Sequence, residues 1–281
     1  MKIIYVIFIA LTKFLLIKLE KLTPLSVCTK GRISNYSEWE SGGSCGFNSH
    51  TNAVGASYLY PIAPNEDLFN NTVQCGVCYE MVGPYGALRV RVEDSCKKDD
   101  KSGLCSGDMY HFNVADNGTS YLMGSGNLSN ITFRMVSCNY TENIKIKTDK
   151  NIDYDLFSFV VLDHNLAISS ISLGEDGKEG WTSLTREKNN YWSYYPSDDI
   201  YFPLTIRIFS INNDYITVLV DKFESEKVYE ADGNFEIPDD TYFNISSLEK
   251  VEIPSDKKEC CELDLSDYNP LLLVPLLKIG L

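Results

Sequence analysis

Apolar positions along most of the chain recur with a period of two, the pattern of strands with one buried face. The clearest case is Leu88, Val90 and Val92 set against Arg89, Arg91 and Glu93. A Gly83-Pro84-Tyr85-Gly86 turn separates this run from Tyr79–Val82 and predicts a hairpin with a short loop. Ile33–Tyr36, Val54–Pro61, Thr72–Gln74, Met109–Val114 and Asn130–Val136 read as further extended pieces, and Ala115–Leu122 as a brief helix. No long 3.6-period segment lies between the N-terminal apolar run and Cys138, so this unit is expected to be mostly β. It reads as the wall of a barrel with a polar groove across its mouth.

Asn139–Lys150 is polar and has no cysteine, and the domain boundary is placed there. Beyond it come apolar runs at Phe157–Leu162, Ala167–Leu173, Trp181–Leu184, Tyr191–Tyr195, Leu204–Ser210 and Tyr215–Lys222. Turn signals at Glu175-Asp176-Gly177 and Asn212-Asn213-Asp214 separate them at the spacing of a small antiparallel sandwich. After Phe223 the chain becomes acidic and proline-punctuated. The expected division is an export signal over 1–27, a barrel over 28–140, a sandwich over 141–225 and a loosely packed acidic tail over 226–281.

Composition narrows the partners. A net charge of −14 excludes nucleic acid and anionic membrane as main partners and leaves neutral polysaccharide open. Met1-Lys2 followed by apolar Ile3–Leu11 has the form of a signal peptide, and the lysines at 13 and 18 break up any comfortable membrane span. The alternative is an uncleaved N-terminal anchor. Nine cysteines fit an oxidising, secretory route. So do Asn-x-Ser/Thr glycosylation signals at Asn35, Asn70, Asn117, Asn127, Asn130, Asn139 and Asn244.

Candidate chemistry is sparse. Cys75-x-x-Cys78 is followed by strand-like residues, where a thioredoxin-type pair would open a helix. It also lacks the second close Cys/His pair of a zinc site, so a structural disulfide is expected. No metal set and no cofactor motif is found. With three histidines in the chain and no Gly-x-Ser-x-Gly context, His111 does not suggest a triad. Asp94 closes the alternating strand, where it is either a solvated strand end or a groove residue. The cluster Tyr191, Trp192, Tyr194 and Tyr195 offers planar rings of the kind that grip neutral sugars, or else alternates into a sandwich core.

These residues resemble the expansin family, more closely the expansin-like proteins of social amoebae than plant ones. The likeness spans roughly 30–223 and is carried by Gly42–Phe47 (GGSCGF), Gln74–Gly86 (QCGVCYEM with GP and G), Val90–Cys96, His111-Phe112, Phe133–Cys138 (FRMVSC), Asp176–Trp181 (DGKEGW) and Pro203–Ile208 (PLTIRI). It implies an all-β protein: a six-stranded double-psi β-barrel, similar to family 45 endoglucanases, followed by an immunoglobulin-like β-sandwich that binds cellulose through surface aromatics. It implies disulfides Cys45–Cys75, Cys78–Cys138 and Cys96–Cys105, leaving Cys28, Cys260 and Cys261 as an odd set with one free or intermolecular thiol. The family's groove residues fall on Ser34, Tyr36 and Asp94, and its second aspartate falls on Asn113. Its platform aromatics fall near Asp155-Leu156, with Tyr154 close by, and near Tyr191 or Trp192.

The resulting expectation is a secreted monomer that binds cellulose or another β-glucan and loosens the polymer network without hydrolysis. Inverting glycoside hydrolysis needs two carboxyl groups, and Asn113 cannot titrate. Asp108 and Asp116 lie nearby but out of register. The alternatives are a weak hydrolase and a structural coat glycoprotein with a degenerate groove.

Overall fold

The computed structural model describes residues 28–36, 43–47, 59–99, 102–107, 109–152, 156–197, 200–222 and 224–237. Six strands form a closed barrel: β1 (Thr29–Tyr36), β2 (Tyr60–Pro64), β3 (Cys78–Gly83), β4 (Gly86–Val92), β5 (His111–Ala115) and β6 (Leu128–Val136). Their order is β1-β5-β2-β4-β3-β6. The β1–β5 and β2–β4 pairs are parallel although other strands intervene in sequence, which is the interlocked crossing of a double-psi barrel. The expected hairpin is present, with Gly83 paired to Gly86 across Pro84-Tyr85. Two short helices, α1 (Glu66–Phe69) and α2 (Asp116–Met123), flank the wall. The core gathers Ile33, Ile62, Met81, Leu88, Phe112 and Phe133, with Phe112 and Phe133 packed edge to face at 4.7 Å.

The three disulfides are those the family resemblance implies: Cys45–Cys75, Cys78–Cys138 and Cys96–Cys105. The first two span 30 and 60 residues and, on the chain-entropy account, stabilise by about 4 kcal/mol each. Cys28 is disulfide-bonded as well, while Cys260 and Cys261 lie outside the described residues.

The second unit is a two-sheet antiparallel sandwich. Its strands are β7 (Lys145–Thr148), β8 (Phe157–Leu162), β9 (Ile168–Glu175), β10 (Thr182–Ser183), β11 (Thr185–Arg186), β12 (Trp192–Tyr194), β13 (Leu204–Ser210), β14 (Tyr215–Val220) and β15 (Val228–Glu230). One sheet runs β10-β9-β13-β14 and the other β11-β12-β8-β7-β15. Alternate residues of β13 (Leu204, Ile206, Ile208) and β8 (Phe157, Phe159, Val161) meet in a shared core.

The polar boundary segment contributes β7, inside the expected sandwich range of 141–225, because Ile144 and Ile146 are buried in the sandwich. One boundary differs from the sequence reading: the tail expected from 226 begins later. Val228–Glu230 pairs with β7, and Tyr229, Ala231 and Phe235 enter the core. Three apolar residues spread through an acidic stretch give no period, so backbone pairing with β7 decides the matter. The expected signal over 1–27 and the chain beyond 237 lie outside the described residues. Among those described, no helix is long and apolar enough to cross a membrane.

A second difference concerns the strand that looked half exposed. Arg89, Arg91 and Glu93 are all buried. The polar face of β4 is covered in part by the junction with the sandwich. Arg91 donates from Nε to Glu93 at 3.0 Å and from Nη1 to the Tyr140 hydroxyl at 2.5 Å, and its plane lies 5.6 Å from the Phe47 ring. Tyr140 is held in turn by Asn165, whose Oδ1 accepts from the Tyr140 amide at 2.6 Å and whose Nδ2 donates to the Tyr140 carbonyl at 3.1 Å. Next to them the buried His164 ring abuts Gly76, where a Cβ would fall 2.3 Å from Nε2. Gly76 also has φ +76°, so glycine is required there on both counts.

Candidate functional site

Parallel pairing of β1 with β5 sets Ser34 directly beside Asn113. Ser34 Oγ donates to Asn113 Oδ1 at 2.8 Å, and His111 Nε2 lies 3.0 Å from Ser34 Oγ and 3.2 Å from Asn113 Oδ1. Ser34 and His111 are buried and Asn113 is half-buried, so the amide is the member of the trio that reaches the surface. Its Nδ2 donates to Cys96 Sγ at 3.1 Å. Cys96 and Cys105 both approach the His111 ring, with ligand atoms within 4.8 Å of one another. Their sulfurs are joined in a disulfide and offer no thiolate to a metal.

Asp94 follows β4 where the chain leaves the barrel wall, two residues before Cys96. Its Oδ1 accepts three hydrogen bonds: from the Ser44 amide at 2.7 Å, the Ser44 hydroxyl at 2.6 Å and the Ser95 amide at 2.8 Å. No hydrogen bond engages Oδ2 among the described residues, and the side chain is half-buried. The carboxylate is thus oriented through one oxygen and presents the other. The Ser44 loop is itself clasped by the sandwich, since Asn190 Nδ2 donates to the Cys45 carbonyl at 3.2 Å. The Tyr191 ring lies against the same loop, 3.1 Å from the place a Gly46 Cβ would occupy.

The structure therefore brings Ser34 and Asn113 into contact and sets Asp94 on the neighbouring strand end, with Tyr191 beside the loop that holds it. Tyr36 is half-buried two residues beyond Ser34, on the same face of β1. Tyr154 lies outside the described residues, as do Asp108 and Asp155. Trp192 is a correction. It is 4% exposed and belongs to the sandwich core, because its pairing with Phe159 points both side chains inward. Arg186 lies over its ring at 4.6 Å and donates to the Thr72 and Ile168 carbonyls at 2.9 Å each, so the indole is sealed from solvent. Burial lowers the pKa of this guanidinium to about 10.

A sequence model of the expansin N-terminal domain matches residues 1–133, and one of the expansin-like protein middle domain matches 139–236. The chain belongs to the expansin family. Expansin-like protein 2 of Dictyostelium discoideum is 32% identical over 224 residues, covering 79% of this chain and 54% of that protein, so this expansin spans about half the relative's length. Expansin-like protein 1 of the same organism is 28% identical over 241 residues, 84% of this chain and 82% of that one. Among solved structures, an expansin of Clavibacter michiganensis superposes with a TM-score of 0.62 at 18% identity, covering 75% of this chain and 98% of that one. An aspartate-to-asparagine variant of that expansin, solved in complex with cellohexaose, superposes at 0.63. At this identity the structural likeness concerns the fold.

Three residues of this expansin's groove escaped the sequence reading as site members. Ser44 orients Asp94, His111 braces Ser34 and Asn113, and Cys96 takes the Asn113 amide proton. The GGSC stretch was visible as a loop, yet nothing local announces that its serine caps a carboxylate 50 residues away. Of the glycosylation signals, Asn35, Asn70, Asn127 and Asn130 are exposed, whereas Asn139 is half-buried and Asn244 lies outside the described residues.

Proposed function

We propose that this chain is a secreted expansin-like protein that binds cellulose or a related β-glucan and loosens the polymer network without cutting it. One observation carries the reading. Among the described residues the groove holds one oriented carboxylate, Asp94, and the position of the family's second acid is an amide already engaged by Ser34 and Cys96. A glycosidase of either stereochemistry needs two carboxyl groups flanking the bond. Asp94 with Ser34, Tyr36 and Asn113 supplies fixed acceptors and donors for sugar hydroxyls, and Tyr191 supplies a ring at the junction. The Clavibacter expansin that carries an asparagine in place of an aspartate is seen with cellohexaose, so in that relative such a replacement is compatible with a bound glucan. Holding one strand in the groove competes with its contacts to neighbouring strands, and microfibrils then slip. Secretion, glycan addition at the exposed sequons and a monomeric state belong to the same reading.

The test is co-sedimentation of the full chain with insoluble cellulose, alongside reducing-end release and creep of a cellulose network. Retention and creep without sugar release are expected, with retention lost in Asp94→Ala and weakened in Tyr191→Ala. Sugar release abolished by Asp94→Asn would instead establish a hydrolase. No retention at all would leave a coat glycoprotein.

A further inference from the structure

The barrel carries a further cleft, of about 360 Å³, that shares no lining residue with the groove. Val82, Pro84, Met109 and Ile131 give it apolar walls, and the exposed Lys30 of β1 stands at its edge. Met109 is 48% exposed, and Tyr85 and Tyr110, next in sequence to Pro84 and Met109, are 56% and 39% exposed. An apolar hollow bordered by exposed apolar side chains marks a surface that something covers.

The cysteine pairing says what is held beside it. Cys45–Cys75, Cys78–Cys138 and Cys96–Cys105 use six of the nine cysteines, and Cys28 is disulfide-bonded too. Its partner within the chain is therefore Cys260 or Cys261, the two that remain. Cys28 stands two residues before Lys30, directly ahead of β1, so the bond anchors the chain about 7 Å along the backbone from the edge of the cleft. From Cys261 the sequence passes Glu262, Asp264 and Asp267 and reaches an unbroken apolar run, Pro270–Leu277 (PLLLVPLL). A linker of about 10 residues spans roughly 17 Å as a flexible chain, enough to return that run to the cleft. Its three carboxylates suit the Lys30 ammonium at the edge, and its leucines suit the apolar walls.

We propose that Pro270–Leu277, tethered through the Cys28 disulfide, occupies this cleft as a strap across β1, β6 and the β3–β4 hairpin. The chain then covers its own apolar surface, and the segment expected to be a loose tail belongs to the barrel. The strap does not depend on which polymer the groove takes.

The experiment places the photoreactive residue p-benzoylphenylalanine at Met109 of the full chain and maps its cross-links by mass spectrometry. A cross-link from position 109 to 270–277 within a monomer is expected, and an unreduced peptide map should join Cys28 to the peptide that holds Cys260 and Cys261. Cys28→Ser, Cys260→Ser and Cys261→Ser together leave no stray thiol and lengthen the linker from about 10 residues to about 34, counted from Ile237. With effective concentration falling as the −3/2 power of linker length, the cross-link should drop about sixfold. Leu272→Asp with Leu273→Asp keeps the tether and should reduce the cross-link at least as far, since carboxylates are costly in an apolar hollow. This pair lies outside the described residues and stays informative if the serine variant fails to fold, which near-UV circular dichroism checks. The proposal is overturned by no cross-link to 270–277, by one formed only between two copies, or by a secreted chain that lacks the segment. A yield unchanged in either variant overturns it as well.

Discussion

Two polar clusters sit on the same barrel, only a few residues apart in sequence, and they differ in what surrounds them. At the junction, Arg91, Glu93 and Tyr140 are wholly enclosed and each is matched by the others. At the rim, Ser34, His111 and Asn113 form an equally tight knot, yet Asn113 reaches the surface and Asp94 beside it keeps one oxygen unengaged. A closed cluster can only position the chain. An open one can exchange its partners for a ligand's hydroxyls. The difference lies in which face the sandwich covers, and so the second domain decides which polar residues of the first are structural.

The largest effect expected from breaking this contrast is at the closed cluster. Replacing Glu93 with alanine leaves Arg91 buried without its carboxylate, and an unpaired buried charge costs about 3–5 kcal/mol. Urea denaturation should show that loss, while the fraction that remains folded should sediment with cellulose as before. A loss of binding at full stability would mean the junction does more than position.

Next in size is a dependence on pH carried by His164. Burial holds this imidazole at about 4 against its ordinary 6.5, although its Nδ1 is 2.8 Å from the Leu166 carbonyl, and Arg186 and Arg91 act in the same direction as burial. Between those values the unfolded chain binds a proton that the folded chain refuses. Stability is therefore complete above about pH 6.5, falls as pH drops toward 4, and this contribution levels off below it. The full span amounts to at most about 3 kcal/mol. His164→Gln should flatten that part of a stability–pH profile measured by urea midpoints. An unchanged slope would place the acid sensitivity elsewhere.

The junction also explains what was legible in the sequence. The alternation of Leu88, Val90 and Val92 located β4 correctly, since period two reports strand geometry. It assigned the opposite face to water, because nothing local says that another domain will cover it. Trp192 misled in the same way: an aromatic run of period two fits core and surface equally, and only its pairing with Phe159 settles the side. Asp94 and Asn113 were found because a family motif marks their positions. Ser44 and His111 act through contacts 50 and 77 residues away, which no local pattern carries. The late strand Val228–Glu230 is three residues long and too short to show a period.

At the open cluster, Asp94→Ala is expected to cost little stability and much binding. Its three donors lie at the surface, where water replaces the lost acceptor, so about 1 kcal/mol is expected from thermal unfolding. Retention on cellulose should fall about tenfold or more, as for a charge-assisted hydrogen bond of roughly 1.5–3 kcal/mol. Equal losses in Ser34→Ala would show that the knot acts as one unit; a smaller loss there would single out the carboxylate.

The smallest and most discriminating change is Asn113→Asp. It restores the family's acid but removes the amide that donates to Cys96 Sγ, so the new carboxylate faces a sulfur lone pair where a donor stood. The Ser34 hydroxyl, which donates to Asn113 Oδ1, would donate to the carboxylate and favour its ionised form. At neutral pH the variant should therefore carry a second fixed acceptor, with retention changed less than about threefold. As pH falls through the ordinary carboxylate range the acceptor is lost, and a pH dependence of binding absent from the wild type should appear. Two carboxylates alone do not make a glycosidase, since one of them must stay protonated near the working pH. An acid that the Ser34 hydroxyl holds ionised cannot serve as that donor. Reducing-end release should accordingly remain at background. If sugar is released, Asn113 is all that separates this groove from hydrolysis, and the contrast between the two clusters reduces to a single amide.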